Sequence, residues 1–187
     1  MDESVKTIEL TGGQVALVDG EDYEQLSQHK WHTQKYSDTF YAKRHQNGKM
    51  VFMHREILKA PEHLQCDHKN HDGLDNRRCN IRLCTHAQNS YNKRPLANRT
   101  SKYKGVHWDK NAKKWQAQIK HNERVIHIGY FDDQIDAALA YDDYAIDLFQ
   151  EFAYLNYQHH REITKWIEEN YLFSNEKINC SETTRCQ

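Results

Sequence analysis

The strongest constraint lies where Ile81-Arg82-Leu83-Cys84 meets Thr85-His86-Ala87-Gln88. The first four residues read as a strand. The next four have the spacing of a capping box, Thr followed three residues later by Gln, in which each side chain satisfies a backbone N–H at a helix start. A helix is predicted to begin there and to end before Pro95, because the residue preceding a proline is driven out of the helical region. Upstream, Asp67-His68 falls at the end of another predicted strand. Strand, strand and helix thus follow one another within about thirty residues that are dense in His, Asp and Asn.

On either side the pattern changes. Residues 7–58 read as β-rich. Val15, Leu17 and Val18 form a short apolar run after Gly12-Gly13, Glu21 to His29 is a short helix candidate leading to Trp31, and Asn47-Gly48 between Phe40–Arg44 and Met50–Met53 is a hairpin signal. Trp31 and Tyr41 are read as core. Downstream, Lys104–Trp108, Lys114–His121 and Arg124–Tyr130 read as three short strands. Asp132 or Asp133 then caps a helix over Gln134–Phe149, with Ile135, Ala138, Leu139, Ala145, Ile146 and Phe149 at helical spacing. A further helix is predicted over Glu162–Leu172. The resulting domain scheme is 1–94, a linker over 95–102, a second domain over 103–157, and a C-terminal helix and tail over 158–187.

Net charge is −1, which by itself argues against a polyanionic partner. Its distribution reverses that. Residues 1–76 carry 9 basic and 13 acidic side chains, residues 77–124 carry 13 and 2, and residues 125–187 carry 4 and 12. A basic middle between acidic ends is the footprint of a phosphate-binding surface. No apolar run approaches the ~20 residues that span a bilayer, and Met1–Glu9 lacks a signal-peptide core. A cytoplasmic protein with no membrane partner is expected, in a bacterial or phage-infected cell. Cys66, Cys79, Cys84, Cys180 and Cys186 form no C-x-x-C pair, so reduced thiols are expected rather than structural zinc.

Phosphodiester hydrolysis needs a base beside the attacking water and a cation beside the leaving oxygen. Asp67 suits Mg²⁺ or Mn²⁺ through oxygen, and His68 titrates near neutral pH, as a general base must. Asn80, twelve residues on, falls in the turn between the strands, where its amide can brace the loop that presents His68. Asn89 falls in the first turn of the predicted helix, where its amide oxygen can face Asp67. One anionic and one neutral oxygen hold a hydrated divalent ion weakly, the substrate phosphate completing the shell.

The set Cys66-Asp67-His68-Lys69-Asn70, Leu74-Asp75-Asn76-Arg77-Arg78-Cys79-Asn80-Ile81-Arg82 and Thr85-His86-Ala87-Gln88-Asn89 resembles the HNH endonuclease motif, especially its phage and mobile-intron forms. The resemblance implies a ββα-metal unit with Asp67 and Asn89 as metal ligands, His68 as general base and Asn80 as the structural asparagine. Asn89 stands where the family often has histidine, which implies weak, exchangeable metal. His54, in Met53-His54-Arg55, also resembles a recurrent element of these proteins but receives no role, and a core or loop-bracing histidine is the expectation.

Residues 103–157 are similar to the APETALA/ethylene-response-factor DNA-binding domain, on Tyr103-Lys104-Gly105-Val106-His107-Trp108, Lys114-Trp115-Gln116-Ala117-Gln118-Ile119, Ile128-Gly129-Tyr130-Phe131, Ala137-Ala138, Tyr141-Asp142 and Leu155-Asn156. That family's fold is a three-stranded antiparallel sheet backed by one helix, the sheet entering the major groove. Alternation puts Lys114, Gln116, Gln118 and Lys120 on one face and Trp115, Ala117 and Ile119 on the other. Lys104, His107, Lys113 and Arg124 would extend the polar row, and Arg77, Arg78 and Arg82 would add contacts from the HNH segment. Lysine lacks the bidentate fork of arginine, so phosphate grip is expected to dominate base readout.

The expected fold is therefore α+β: a ββα-metal unit with a β-rich N-terminal extension, plus a three-stranded sheet with one packed helix. The expected activity is a metal-dependent, homing-type endonuclease acting on double-stranded DNA. Two rivals are a non-catalytic DNA-binding regulator that keeps an inactive HNH fold, and an RNA-directed nuclease or RNA-binding protein.

Overall fold

The computed structural model describes residues 4–96 and 99–158. The helix expected over Glu162–Leu172, and Cys180 and Cys186, lie outside them. The protein is mixed α+β with small antiparallel sheets, and forms two compact units, Met1–Asn92 and Lys93–Gln187. Among the described residues no helix is long and apolar enough to cross a membrane.

In the first unit, β1 (Val5–Glu9) and β2 (Val15–Asp19) form a hairpin that runs into α1 (Gly20–Ser27). A meander follows: β3 (His32–Tyr36), β4 (Thr39–Gln46) and β5 (Lys49–Phe52). Asn47 and Gly48, at φ 51° and 77°, make the two-residue turn between β4 and β5, so that Gln46 pairs with Lys49. A short helix, α2 (Met53–Ile57), leaves the sheet at once. Ile8, Ala16, Val18, Leu26, Ala42, Met53 and Ile57 gather from these elements into one core, joined by Trp31 from the link between α1 and β3 and by Ile81 from further along the chain. The Trp31 indole N–H donates to the Leu26 carbonyl at 2.8 Å, so a buried polar atom is satisfied. Tyr41 is only half-buried and lies outside that core, against the residues of the candidate site.

The unit ends with β6 (Gln65–His68), β7 (Ile81–Cys84) and α3 (His86–Tyr91). Thr85 and Gln88 make both bonds of the capping box. The loop between β6 and β7 is stitched to β2: Leu17 N donates to Leu74 O and Asn76 N to Leu17 O, both at 2.8 Å. The same loop lies close on β4 at Gly73, since a Cβ there would lie 2.4 Å from the Phe40 carbonyl and 2.6 Å from the Tyr41 ring.

The second unit is a meander of β8 (Val106–Asp109), β9 (Lys114–His121) and β10 (Arg124–Phe131), covered by α4 (Gln134–Phe149) and followed by a 3-10 turn, Gln150–Phe152. Asp133 caps α4 by accepting from Ile135 N. The alanines Ala137, Ala138 and Ala145 are fully enclosed and let the helix lie close on the sheet, whereas Ile135 is exposed. Trp115, Ile128, Phe131 and Tyr157 pack around Val106 and Ala117. Asp142, fully buried, accepts from Asn156 N, Asn156 Nδ2 and Tyr157 N at 2.8–3.1 Å, and Asn156 in turn bonds both backbone groups of Lys104. The strand-leading loop and the C-terminal strap are thus tied to α4 through one carboxylate.

Gly105 sits at φ 77°, and a Cβ there would lie 2.0 Å from the Tyr141 ring. Gly105→Ala combines left-handed strain with overpacking and is expected to cost about 2 kcal/mol or more. A urea unfolding midpoint equal to wild type would contradict this.

Candidate active site

Alternation along β6 turns Gln65 and Asp67 to one side and Cys66 and His68 to the other. α3 covers the first side. Asn89 Nδ2 donates to Gln65 Oε1 at 2.7 Å, and Asn92 Nδ2 donates to Asp67 Oδ1 and Oδ2 at 2.9 and 3.0 Å and to the His68 carbonyl at 3.2 Å. Across the strand pair, Arg82 is the register partner of Asp67, and its Nε and Nη2 donate to Asp67 Oδ2 at 2.9 and 2.7 Å. Asp67 is 6% exposed and shares this bond network with residues from β7 and the end of α3.

His68, 5% exposed, packs its ring edge-on against His54 at 5.0 Å and Tyr41 at 5.7 Å. Its Nε2 is buried without a hydrogen-bond partner among the described residues. Burial lowers its proton affinity, opposed by the Asn76 side chain and the carboxylates of Asp67, Asp72 and Asp75. Burial also raises the Tyr41 phenol, with the Asp67 charge acting in the same direction.

Asn80 braces the loop that carries this pair. Its Oδ1 accepts from Asn70 N at 3.1 Å, its Nδ2 donates to the Asp75 carbonyl at 2.8 Å, and its own carbonyl accepts from Lys69 N, directly after His68. Asp75 is held by Arg77 through two 2.7 Å bonds and by Asn70 at 2.9 Å, so its carboxyl lies below the usual carboxylate range, the Arg77 hydrogen bonds being the main cause.

The residues predicted from sequence are therefore divided. Asp67 meets Arg82 and Asn92, Asn89 meets Gln65, and His68 meets Tyr41 and His54. Among the described residues no group of three His, Cys, Asp or Glu could hold a metal ion. An ion here would rely on one carboxylate, side-chain amides and a substrate oxygen, a donor set that fits a hydrated divalent cation. Asn92 is new to the site; its place three residues after Asn89 puts both on one helix face. Gln65, two residues before Asp67, follows from strand alternation. Cys66, Cys79 and Cys84 are thiols, and burial pushes Cys66 and Cys84 up to about 11.

The three arginines expected to touch DNA have carboxylate partners inside the unit. Arg77 pairs with Asp75, Arg82 with Asp67, and Arg78 with Asp22 and Glu21 at 2.6–2.8 Å while its backbone N–H donates to Asp19. Neighbouring acids from α1, from the loop and from the facing strand give these guanidiniums structural work.

In the second unit the sheet register pairs His107 with Gln116, Asp109 with Lys114, Gln118 with His127 and Lys120 with Val125. His107, Lys114, Gln116, Gln118 and Lys120 share the face away from α4. Lys114 and Lys120 reach the exposed acids Asp132 and Glu123, and Gln116 Nε2 lies 2.7 Å from His127 Nδ1. Two expected members leave this row. Arg124 pairs with His121, whose ring contacts Phe149 of α4, so Arg124 takes the helix side. Lys104 precedes β8; its Nζ donates to the Lys93 carbonyl and lies over the Tyr154 ring, and burial lowers its pKa to about 8.

His54 supplies a stability test. Burial, then the nearby His68 and Arg55 charges, lowers its pKa from about 6.5 to about 3. The unfolded chain therefore binds a proton below pH 6.5 that the folded chain refuses until about pH 3, and stability is lost as pH falls through that window. The thermal midpoint of His54→Phe is expected to fall less than that of wild type between pH 7 and pH 4; equal slopes would contradict it.

No family model matches the chain, and no solved structure matches it. A protein named as an uncharacterized HNH endonuclease, from Acanthamoeba polyphaga mimivirus, is 31% identical over 147 residues, 75% of this chain and 74% of the relative. With Asp67, His68, Asn80 and Asn89 on the β6–β7–α3 segment, and a relative at that identity across three quarters of both sequences, the chain belongs to the HNH endonuclease family.

Proposed function

We propose that this protein is a divalent-metal-dependent endonuclease that hydrolyses phosphodiester bonds in double-stranded DNA, with Mg²⁺ or Mn²⁺ as the ion. The observation that carries this reading is the β6–α3 contact. Asn89 spends its amide nitrogen on Gln65, which leaves its oxygen as the atom for a ligand, on the helix face whose next turn holds the Asp67 carboxylate through Asn92. Asp67 and Asn89 are the residues that would hold the ion. When bound, the ion supplies positive charge to stabilise the oxygen that leaves phosphorus.

The chain's own residues do the rest. Burial disfavours the charged form of His68, and the neutral imidazole is the form that accepts a proton from water. Asn80 fixes the loop after His68, and Asn92, bonded to both the Asp67 carboxylate and the His68 carbonyl, locks the pair in register. Arg82 orients Asp67 from the facing strand.

The second unit, a three-stranded sheet with one helix like the APETALA/ERF fold it resembles, is the DNA grip. Two features support this: the outward row of His107, Lys114, Gln116, Gln118 and Lys120, and a groove of about 590 Å³ lined in part by Arg94, Arg99, Lys104, His107 and Trp108. A sheet row whose cations are lysines, without the bidentate fork of arginine, favours phosphates over base edges, which suits a homing-type enzyme tolerant of sequence changes in its target.

The test is nicking of supercoiled plasmid with Mg²⁺ or Mn²⁺. His68→Ala is expected to lose about 100-fold or more in rate while still binding duplex DNA. Wild-type protein that binds DNA but never cuts it with either ion would favour the regulator reading instead.

A further inference from the structure

The sequence singled out His54 without giving it work. In the structure β5 passes into α2 with no intervening loop, and Phe52, the last residue of β5, stacks on His54 at 5.4 Å and 15°. Tyr41 from β4 closes another side, 5.8 Å from His54 and 5.7 Å from His68. Tyr41 is itself backed by Gly73, where no side chain would fit. Arg55 donates to the carbonyls of Ala60, Pro61 and Leu64, which ties α2 to the stretch leading into β6. Within this frame the His54 ring stands perpendicular to the His68 ring, centroids 5.0 Å apart. His54 is 7% exposed, and its Nδ1 has no hydrogen-bond partner among the described residues. Ring contact, with no hydrogen bond from that nitrogen, is what joins the two histidines.

We infer that His54 is a positioning residue: its ring, clamped by Phe52 and Tyr41, sets the plane of the His68 imidazole. The inference rests on the reading of His68 as the general base. An imidazole that can rotate offers its nitrogen to water for only part of the time, so loss of the neighbouring ring lowers turnover without weakening DNA binding. The low proton affinity of His54 agrees with this role, because a neutral ring adds no charge beside the base.

The experiment compares wild type, His54→Leu, His54→Phe and His68→Ala in plasmid nicking, with ¹H–¹³C spectra of the His68 ring. His54→Leu is expected to lower kcat about 10- to 100-fold with KM within about twofold, and His54→Phe to regain most of that loss. The His68 ring resonances should move in the Leu variant and stay near wild type in the Phe variant. Wild-type kcat in His54→Leu, or a Phe variant no better than Leu, overturns the inference. If His54→Leu does not fold, His54→Met is judged by the same criteria. If wild type does not cut, or His68→Ala still does, the nuclease reading fails separately, and the ring spectra alone decide whether His54 orients His68.

Discussion

The Asp67 carboxylate is the joint of the first unit. It is nearly enclosed, and three donors reach it, two nitrogens of Arg82 from the facing strand and the amide of Asn92 from the end of α3. A buried charge without partners would cost several kcal/mol, and breaking a buried pair by removing one partner costs about 3–5 kcal/mol. The position of β6 against β7, and of α3 against both, is therefore coupled to the Asp67 carboxylate. The next residue, His68, inherits that rigidity through its backbone, since Asn92 also bonds its carbonyl.

The charge pattern acquires a different meaning in three dimensions. The basic middle of the chain divides between two tasks. Arg77, Arg78 and Arg82 are consumed by Asp75, by Asp22 and Glu21, and by Asp67, and they hold the loop, α1 and the strands in place. The lysines and histidine of the β8–β9 face remain on the surface, and the acids that reach them, Asp132 and Glu123, are themselves highly exposed. Exposed pairs of that kind contribute little to stability and are screened by salt, so they do little to fix this face.

Local rules were legible in the sequence and non-local partnerships were not. The capping box placed α3, Asn47-Gly48 placed a hairpin, and the spacing of small apolar residues placed α4, because each depends on neighbours in the chain. Arg124 illustrates an intermediate case. A two-residue turn at Asn122-Glu123 makes His121 and Arg124 partners, so Arg124 must share the side of His121 rather than that of Lys120. Asn92, Tyr41 and the work of His54 required knowledge of which strand lies against which helix. The arginine pairs likewise depend on acids as far away as Asp19 and Asp22, more than fifty residues upstream of Arg78.

The most direct measurement is a Mn²⁺ titration followed by paramagnetic broadening of side-chain amide resonances. The expected result is that the Asn89 and Asn92 amides broaden first at substoichiometric ion and that the effect vanishes in Asp67→Asn. Broadening centred away from α3, or unchanged by Asp67→Asn, would contradict it.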